Sequence, residues 1–239
     1  MLVVTDSAAD FAPEQLEGLK IHVVPLYVMF GETTYRSGVD IRHEDFYLRL
    51  RGGEMPRTSQ PSVGEFVSVY RELAKQDPEI FSIHLSSALS GTLSAARTAA
   101  AMVPEARITF FDTGGVSVIV GWCAEMAARA VQAGWSLERI LQLLNRIRDT
   151  MFGIFMLPTL KYIIAGGRVG HLKGLVGSLM NIKPIMAFDL KAGTIVELGK
   201  EFSLRRAILA QADYIAKRFS PGSPLRIQIA HSQNPEGVT

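Results

Sequence analysis

The stretch Ile80-Phe81-Ser82-Ile83-His84-Leu85-Ser86-Ser87-Ala88-Leu89-Ser90-Gly91-Thr92, continuing into Leu93-Ser94-Ala95-Ala96, decides the fold class. An apolar run short enough for a strand ends at His84. A loop crowded with hydroxyls follows, and an alanine-rich segment then reads as a helix from about Ser94 to Met102. The same unit recurs on both sides. Leu2 to Val4 reads as a strand that leaves through Thr5-Asp6-Ser7 toward a short helix, Pro13 to Leu19, and a second strand, Ile21 to Tyr27, interrupted or ended near Pro25. Ile108 to Phe111 reads as a strand that leaves through Asp112-Thr113-Gly114-Gly115-Val116-Ser117 into a helix from Val118 to Gln132, and Ser136 caps a further helix, Leu137 to Thr150. Alternation of this kind predicts a parallel sheet with helices on both faces.

Shorter signals fill the space between. Gly31 to Tyr35 reads as a hairpin or small ribbon, Asp40 as the cap of a helix from Arg42 to Arg51 that stops at Gly52-Gly53, and Ser62 with Glu65 as a capping box ahead of a helix ending near Lys75. Beyond residue 150 the pattern changes. It gives a strand from Phe152 to Leu157, a helix opened by Pro158 and stopped at Gly166-Gly167, and a short helix from Leu172 to Met180. A hairpin follows around Lys191-Ala192-Gly193, then a helix from Leu204 to Phe219 capped by Ser203 and a last strand from Leu225 to Ala230. The expected architecture is therefore an α/β domain over residues 1–150 with a parallel sheet, and an α+β domain over 151–239. Residues 234–239 read as a helix start without its helix, so the second domain is expected to be incomplete at its C-terminus.

Composition excludes several classes. The chain has 239 residues, 48% hydrophobic and 20% charged, with a formal net charge of +2. That balance and the lack of a Lys/Arg run argue against nucleic acid as a partner. Cys123 is the single cysteine, which rules out a disulfide within the chain and argues strongly against a cysteine-built metal site. No basic stretch precedes an apolar one at the N-terminus and no apolar run reaches the length of a membrane span. A cytoplasmic protein without stable membrane insertion is expected.

Candidate chemistry lies in the three hydroxyl-rich loops. In an open parallel sheet, ligands bind at the carboxyl ends of strands, and helix N-termini there favour anions. The bland alternative is that serine and threonine merely cap helices. Upstream, Pro61 forces Gln60 into an extended shape and holds Thr58 and Ser59 out of the helix capped by Ser62. Gly166-Gly167-Arg168 is either a helix stop or an anion or partner contact through Arg168. Dinucleotide and phosphate-loop glycine patterns and the nucleophile elbow are missing. His43-Glu44-Asp45 lacks the second histidine of a zinc helix. An enzyme reading would use Ser90 as nucleophile with His84 or His231 as base, which requires a Ser–His pair within about 3 Å. A third reading is a regulatory protein in which the loops are only caps.

Val4-Thr5-Asp6-Ser7, Thr58-Ser59-Gln60-Pro61-Ser62, His84 to Thr92, Asp112-Thr113, Gly166-Gly167-Arg168 and Asn181-Ile182-Lys183-Pro184-Ile185 occur in that order, and in this they resemble the DegV family, which includes the fatty-acid-binding subunit of bacterial fatty acid kinase. The resemblance spans essentially the whole chain. It implies two α/β-type domains with a long-chain fatty acid between them, bound as ligand, with no cofactor and no catalytic residue of the chain's own. The carboxylate would be held by Thr58 and Ser90, with Ser59, Ser87, Gly91 and Thr92 around them and the Thr5-Asp6-Ser7 loop nearby. A separate ATP-binding kinase subunit would phosphorylate the acid and feed phospholipid synthesis. The chain departs from the family pattern at Asp112-Thr113-Gly114-Gly115, where a D-S loop is usual, and at Leu204, where arginine is usual. A His-Thr-Gly-Pro-Gly-like loop linked to presenting the carboxyl group is absent from this sequence. About 0.8 kcal/mol per buried methylene gives a chain of ~15 methylenes roughly 12 kcal/mol before ordering costs. The apolar segments Phe152 to Leu157, Leu160 to Ile164 and Ile182 to Phe188 are candidates to line it, or are plain core.

Overall fold

The computed structural model describes residues 1–168 and 182–232. The chain divides into two compact units. One comprises Met1–Met151 with Leu190–Thr194, the other Phe152–Asp189 with Ile195–Thr239.

The first unit is built on a parallel sheet of β1 (Leu2–Asp6), β2 (Ile21–Val24), β6 (Glu79–His84) and β7 (Arg107–Asp112), in the order β2-β1-β6-β7. Its central strands β1 and β6 are buried on both faces, so they read as apolar runs rather than as a one-sided alternation. Val4 and Ile80 face a cluster completed by Phe66, Tyr70 and Leu73 of α3 (Val63–Ala74) and Ala96 and Ala99 of α4 (Thr92–Ala100). Val3, Phe81 and Ile83 face the opposite cluster, with Cys123 and Ala127 of α5 (Val118–Gln132) and Ile140 and Leu144 of α6 (Leu137–Thr150). Ser82 and His84 share the face of Ile80 by the two-residue period of a strand, and this places both toward α3.

Pro25 explains why the predicted strand from Ile21 is two strands. Lacking an N–H, it ends β2, and the chain crosses to a second, antiparallel sheet whose order is β4-β3-β5, formed by β3 (Tyr27–Phe30), β4 (Thr33–Arg36) and β5 (Arg57–Ser59). The Leu26 N–H at the crossing donates to Ser7 Oγ at 2.9 Å. Helix α2 (His43–Arg51) covers this sheet through Phe46 and Leu50, with Ile41 just ahead of it, against Val28 and Phe30. Asp40 does not cap α2. Its carboxylate accepts instead from the Arg36 backbone N–H and guanidinium, and Arg42 occupies the cap position without capping the helix through its side chain. The Ser62–Glu65 capping box opens α3, as the spacing predicts, and Ser136 caps α6.

In the second unit, β8 (Ile154–Met156), β9 (Lys183–Asp189) and β10 (Thr194–Glu201) form an antiparallel sheet in the order β10-β9-β8, and α8 (Leu204–Arg218) packs on β8 and β9. Ser203 caps α8 by accepting from the Arg206 N–H at 3.3 Å. Pro158 does not open a helix. α7 (Lys161–Ala165) begins three residues later, with Thr159 Oγ1 accepting from the Lys161 N–H. The expected last strand is also absent: residues 225–230 are irregular and have no ladder partner among the described residues, which leaves Ile227 and Ile229 exposed despite a strand-like alternation. The expected helix from Leu172 to Met180 and the reading of residues 234–239 lie outside the described residues.

Candidate functional site

The strand order points to a candidate site. From β1 the chain goes outward to β2, and it returns to the other side of β1 as β6 before continuing to β7. The connections therefore diverge between β1 and β6, and the crevice beyond the carboxyl ends of such a pair is where open α/β sheets bind ligands. Asp6 ends β1, His84 ends β6 and Asp112 ends β7, so the three hydroxyl-rich loops leave from this one edge.

Hydrogen bonding sorts their residues into scaffold and available groups. Asp6 is fully buried: its Oδ1 accepts from the Ala8 N–H at 3.1 Å and its Oδ2 from the Leu85 N–H at 3.1 Å, with His84 Nδ1 at 2.9 Å. Ser7 Oγ is taken by Leu26. Thr5 Oγ1 is buried with no partner among the described residues. Ser86 is buried too, and its Oγ donates at 2.6 Å to the carbonyl of Gly193 in the turn between β9 and β10, the part of the chain that belongs to the first unit. A Cβ on Gly193, whose φ is +69°, would stand 2.6 Å from that Oγ, so only glycine fits there. Thr113 Oγ1 donates to the His84 carbonyl at 3.0 Å, and Asp112 accepts from the Ser87 and Gly114 N–H groups.

What stays available is the outer half of the β6 loop. Ser87 is exposed and Ser90 half-buried. Ser90 Oγ lies 2.9 Å from Thr92 Oγ1 and accepts from the Thr92 N–H at 3.3 Å. Helix α4 opens behind them with Gly91 at its cap position, no side-chain cap and no acidic residue in its first turn. That bare helix start carries the partial positive charge an anion seeks. Gln60 packs its side-chain amide directly over Gly91, where any Cβ would collide with it. This brings the end of the Thr58-Ser59-Gln60 segment against the Ser90-Gly91-Thr92 turn. Thr58 and Ser59 lie on β5, at the edge of the antiparallel sheet, and both are exposed. Sequence reasoning passed over Gln60 and Gly193 as contributors. Gln60 could have been suspected from the proline after it; the partner of Ser86 lies 107 residues away and has no local signal.

His84 is not available as a base. It is fully buried, Nδ1 faces Asp6, and Nε2 lies 2.7 Å from Ser82 Oγ. The Ser90–His84 reading of an enzyme therefore fails: Ser90 Oγ pairs with Thr92, and both ring nitrogens are engaged elsewhere. Arg168 follows a helix stop in which Gly167 takes φ +73° and donates to the Ile164 carbonyl, and its guanidinium reaches the Gly166 carbonyl. Among the described residues no group of three or more His, Cys, Asp or Glu could hold a metal ion, and no helix is long and apolar enough to cross a membrane.

The fold is that of an α/β protein with a hydroxyl-lined helix start at the switch point of its parallel sheet. The chain is a member of the DegV family: the family model, described as an uncharacterised protein of that family, matches residues 1–239. Protein DegV of Bacillus subtilis is 36% identical over 236 residues, covering 98% of this chain and 83% of the relative. The crystal structure of DegV from Bacillus subtilis, described as a fatty acid binding protein, superposes with a TM-score of 0.82 at 36% identity over 91% of this chain and 77% of that one. A DegV family protein from Thermus thermophilus, described by its fatty acid binding, gives 0.81 at 32% identity over 90% and 76%.

Proposed function

We propose that this protein binds a long-chain fatty acid, with the carboxylate at the Ser87–Thr92 turn. The observation that carries the reading is the uncapped start of α4 beside Ser90, with Gln60 of the Thr58-Ser59-Gln60 segment packed on Gly91. Thr58 and Ser90 are the head-group donors, Ser59, Ser87, Gly91 and Thr92 surround them, and Thr5, Asp6 and Ser7 form the supporting loop. Hydroxyl and N–H donors suit a carboxylate without adding a second charge to be desolvated. Fatty acid binding by solved relatives of the same fold supports the reading. In the second unit, Phe155 pairs with Met186 and stacks on Phe188 at 4.9 Å between ring centroids. They share one face of the sheet, where Met186 is fully buried.

The protein acts in this reading as a carrier and not as an enzyme. A separate ATP-binding kinase subunit phosphorylates the held carboxyl group for phospholipid synthesis in the cytoplasm, and Arg168 is a candidate contact for the anion or for that partner. Mass spectrometry of an organic extract of the purified protein tests the binding step. A stoichiometric long-chain acid is expected. An acid-free extract, with no uptake on incubation with oleate, sinks it.

A further inference from the structure

Behind the β6 loop runs a file of buried polar side chains that the head-group reading does not use. Tyr70 OH lies 2.7 Å from Ser82 Oγ, Ser82 Oγ 2.7 Å from His84 Nε2, and His84 Nδ1 2.9 Å from Asp6 Oδ2; all four residues are fully buried. One pattern of protons that satisfies every member runs from Tyr70 to Asp6. In it Asp6 accepts from the Ala8 and Leu85 N–H groups and from His84 Nδ1–H. Nε2 then accepts from the Ser82 hydroxyl, and Ser82 accepts from Tyr70. Burial also pushes the Tyr70 phenol above its ordinary value, opposed by its bond to Ser82, which keeps it a donor.

The end of the file is where it meets the loops. Asp6 Oδ2 takes the imidazole and the Leu85 N–H together, and Oδ1 takes the Ala8 N–H. The carbonyl of His84 takes both the N–H and the hydroxyl of Thr113. Exits from β1, β6 and β7 are thus joined through one Asp–His pair, two residues ahead of Ser86. An apolar side chain could fill the His84 site, where the ring lies edge-on to Phe66 at 5.3 Å between centroids. What the imidazole adds is the aim of the Asp6 carboxylate.

We propose that His84, acting through Asp6, is a positioning residue for the Ser86–Thr92 loop: it fixes the carboxylate that holds Leu85 and thereby presets the turn for the fatty acid head group. The proposal rests on the head-group reading above, and its test separates the two. His84→Leu keeps the volume and removes both ring bonds. His84→Asn keeps a donor at the position of Nδ1. Each is compared with the wild type by hydrogen exchange of the peptide carrying Leu85 to Thr92, with α6 as internal reference, and by calorimetric titration with oleate.

Expected for His84→Leu is exchange in the loop faster by about tenfold or more, unchanged exchange in α6, and a comparable loss of oleate affinity. His84→Asn restores most of both. A loop that exchanges at the wild-type rate in His84→Leu, equal acceleration in α6, or an asparagine variant no better than leucine overturns the proposal. Should wild-type protein take up no oleate, the proposed function fails while hydrogen exchange still judges the positioning role. If His84→Leu does not fold, Ser82→Ala, which removes the donor to Nε2, is the second variant: it is expected to loosen the loop in the same direction, and no change overturns the proposal.

Discussion

Replacing Thr58 and Ser90 by alanine, singly and together, separates binding from stability, because the two hydroxyls sit in different settings. Thr58 lies on an edge strand, is exposed, and its hydroxyl makes no hydrogen bond among the described residues. Thr58→Ala should therefore change stability by no more than about 0.5 kcal/mol. Ser90 loses more, since its Oγ pairs with Thr92 Oγ1 and accepts the Thr92 N–H at the start of α4. About 0.5–1.5 kcal/mol is expected there. For the ligand the ranking differs. A hydrogen bond to an ionised carboxylate contributes about 1.5–3 kcal/mol, so each substitution should raise the Kd for oleate roughly 10- to 150-fold. The double variant should fall short of the product of the two, because both hydroxyls act on one head group. Calorimetric titration gives the affinities and urea unfolding the stabilities. Methyl oleate, which lacks the charge, serves as control and should not distinguish wild type from the double variant. If both single variants bind oleate as the wild type does, the head group lies elsewhere and the site assignment is wrong.

Other outcomes follow from single features. Gly114→Ala should cost about 2–4 kcal/mol, because φ is +69° and the new Cβ would overlap the Leu190 carbonyl; a shift below about 0.5 kcal/mol in chemical denaturation would refute the close approach. Cys123 is buried and its thiol is pushed up to about 12 by desolvation, so it should resist a thiol reagent at neutral pH until the protein unfolds, and fast native labelling would contradict its place in the core. The Arg36 side chain and backbone hold the Asp40 carboxyl at about 2 against an ordinary 3.8. A lowered folded value means that its small, solvent-screened stabilisation is present above 3.8 and is lost as the pH falls from there to about 2. Titration of the Asp40 carboxyl by NMR should show this, Arg36→Gln should return it toward 3.8, and a wild-type midpoint above 3.8 would refute the pairing.

Local signals carried the parallel sheet and most helices into view. Val118–Gln132 and Leu137–Thr150 end where their periodicity and the Ser136 cap place them, since a buried helical face and a capping serine are both written within a few residues. Where two local uses competed, the sequence could not decide. Asp40 fits a helix cap, but an arginine four residues earlier offered a guanidinium fork and a backbone N–H together. Leu225 to Ala230 has the alternation of a strand, yet a strand exists only with a partner, and partners are not encoded in the segment itself. At the site, the hydroxyl-rich exits were legible, but their division of labour was not. Ser86 and Ser87 are adjacent and chemically identical. One is buried on a carbonyl from a turn 107 residues away and the other is exposed. His84 shows the same limit, since only packing on Asp6 and Ser82 distinguishes a structural imidazole from a catalytic one.

The turn at Leu190–Thr194 has a consequence for biogenesis. Because it belongs to the first unit, that unit is discontinuous along the chain, and Ser86 and Gly114 meet their contacts only once the turn has been made. Ribosomes add about 5–20 residues per second, so the roughly 40 residues between Met151 and Leu190 impose a delay on the order of seconds. During that interval the sheet, α3, α4, α5 and α6 can consolidate, while the Ser86 and Gly114 loops wait for their cover. Completion of the β6 loop is therefore deferred until the β9–β10 turn leaves the exit tunnel.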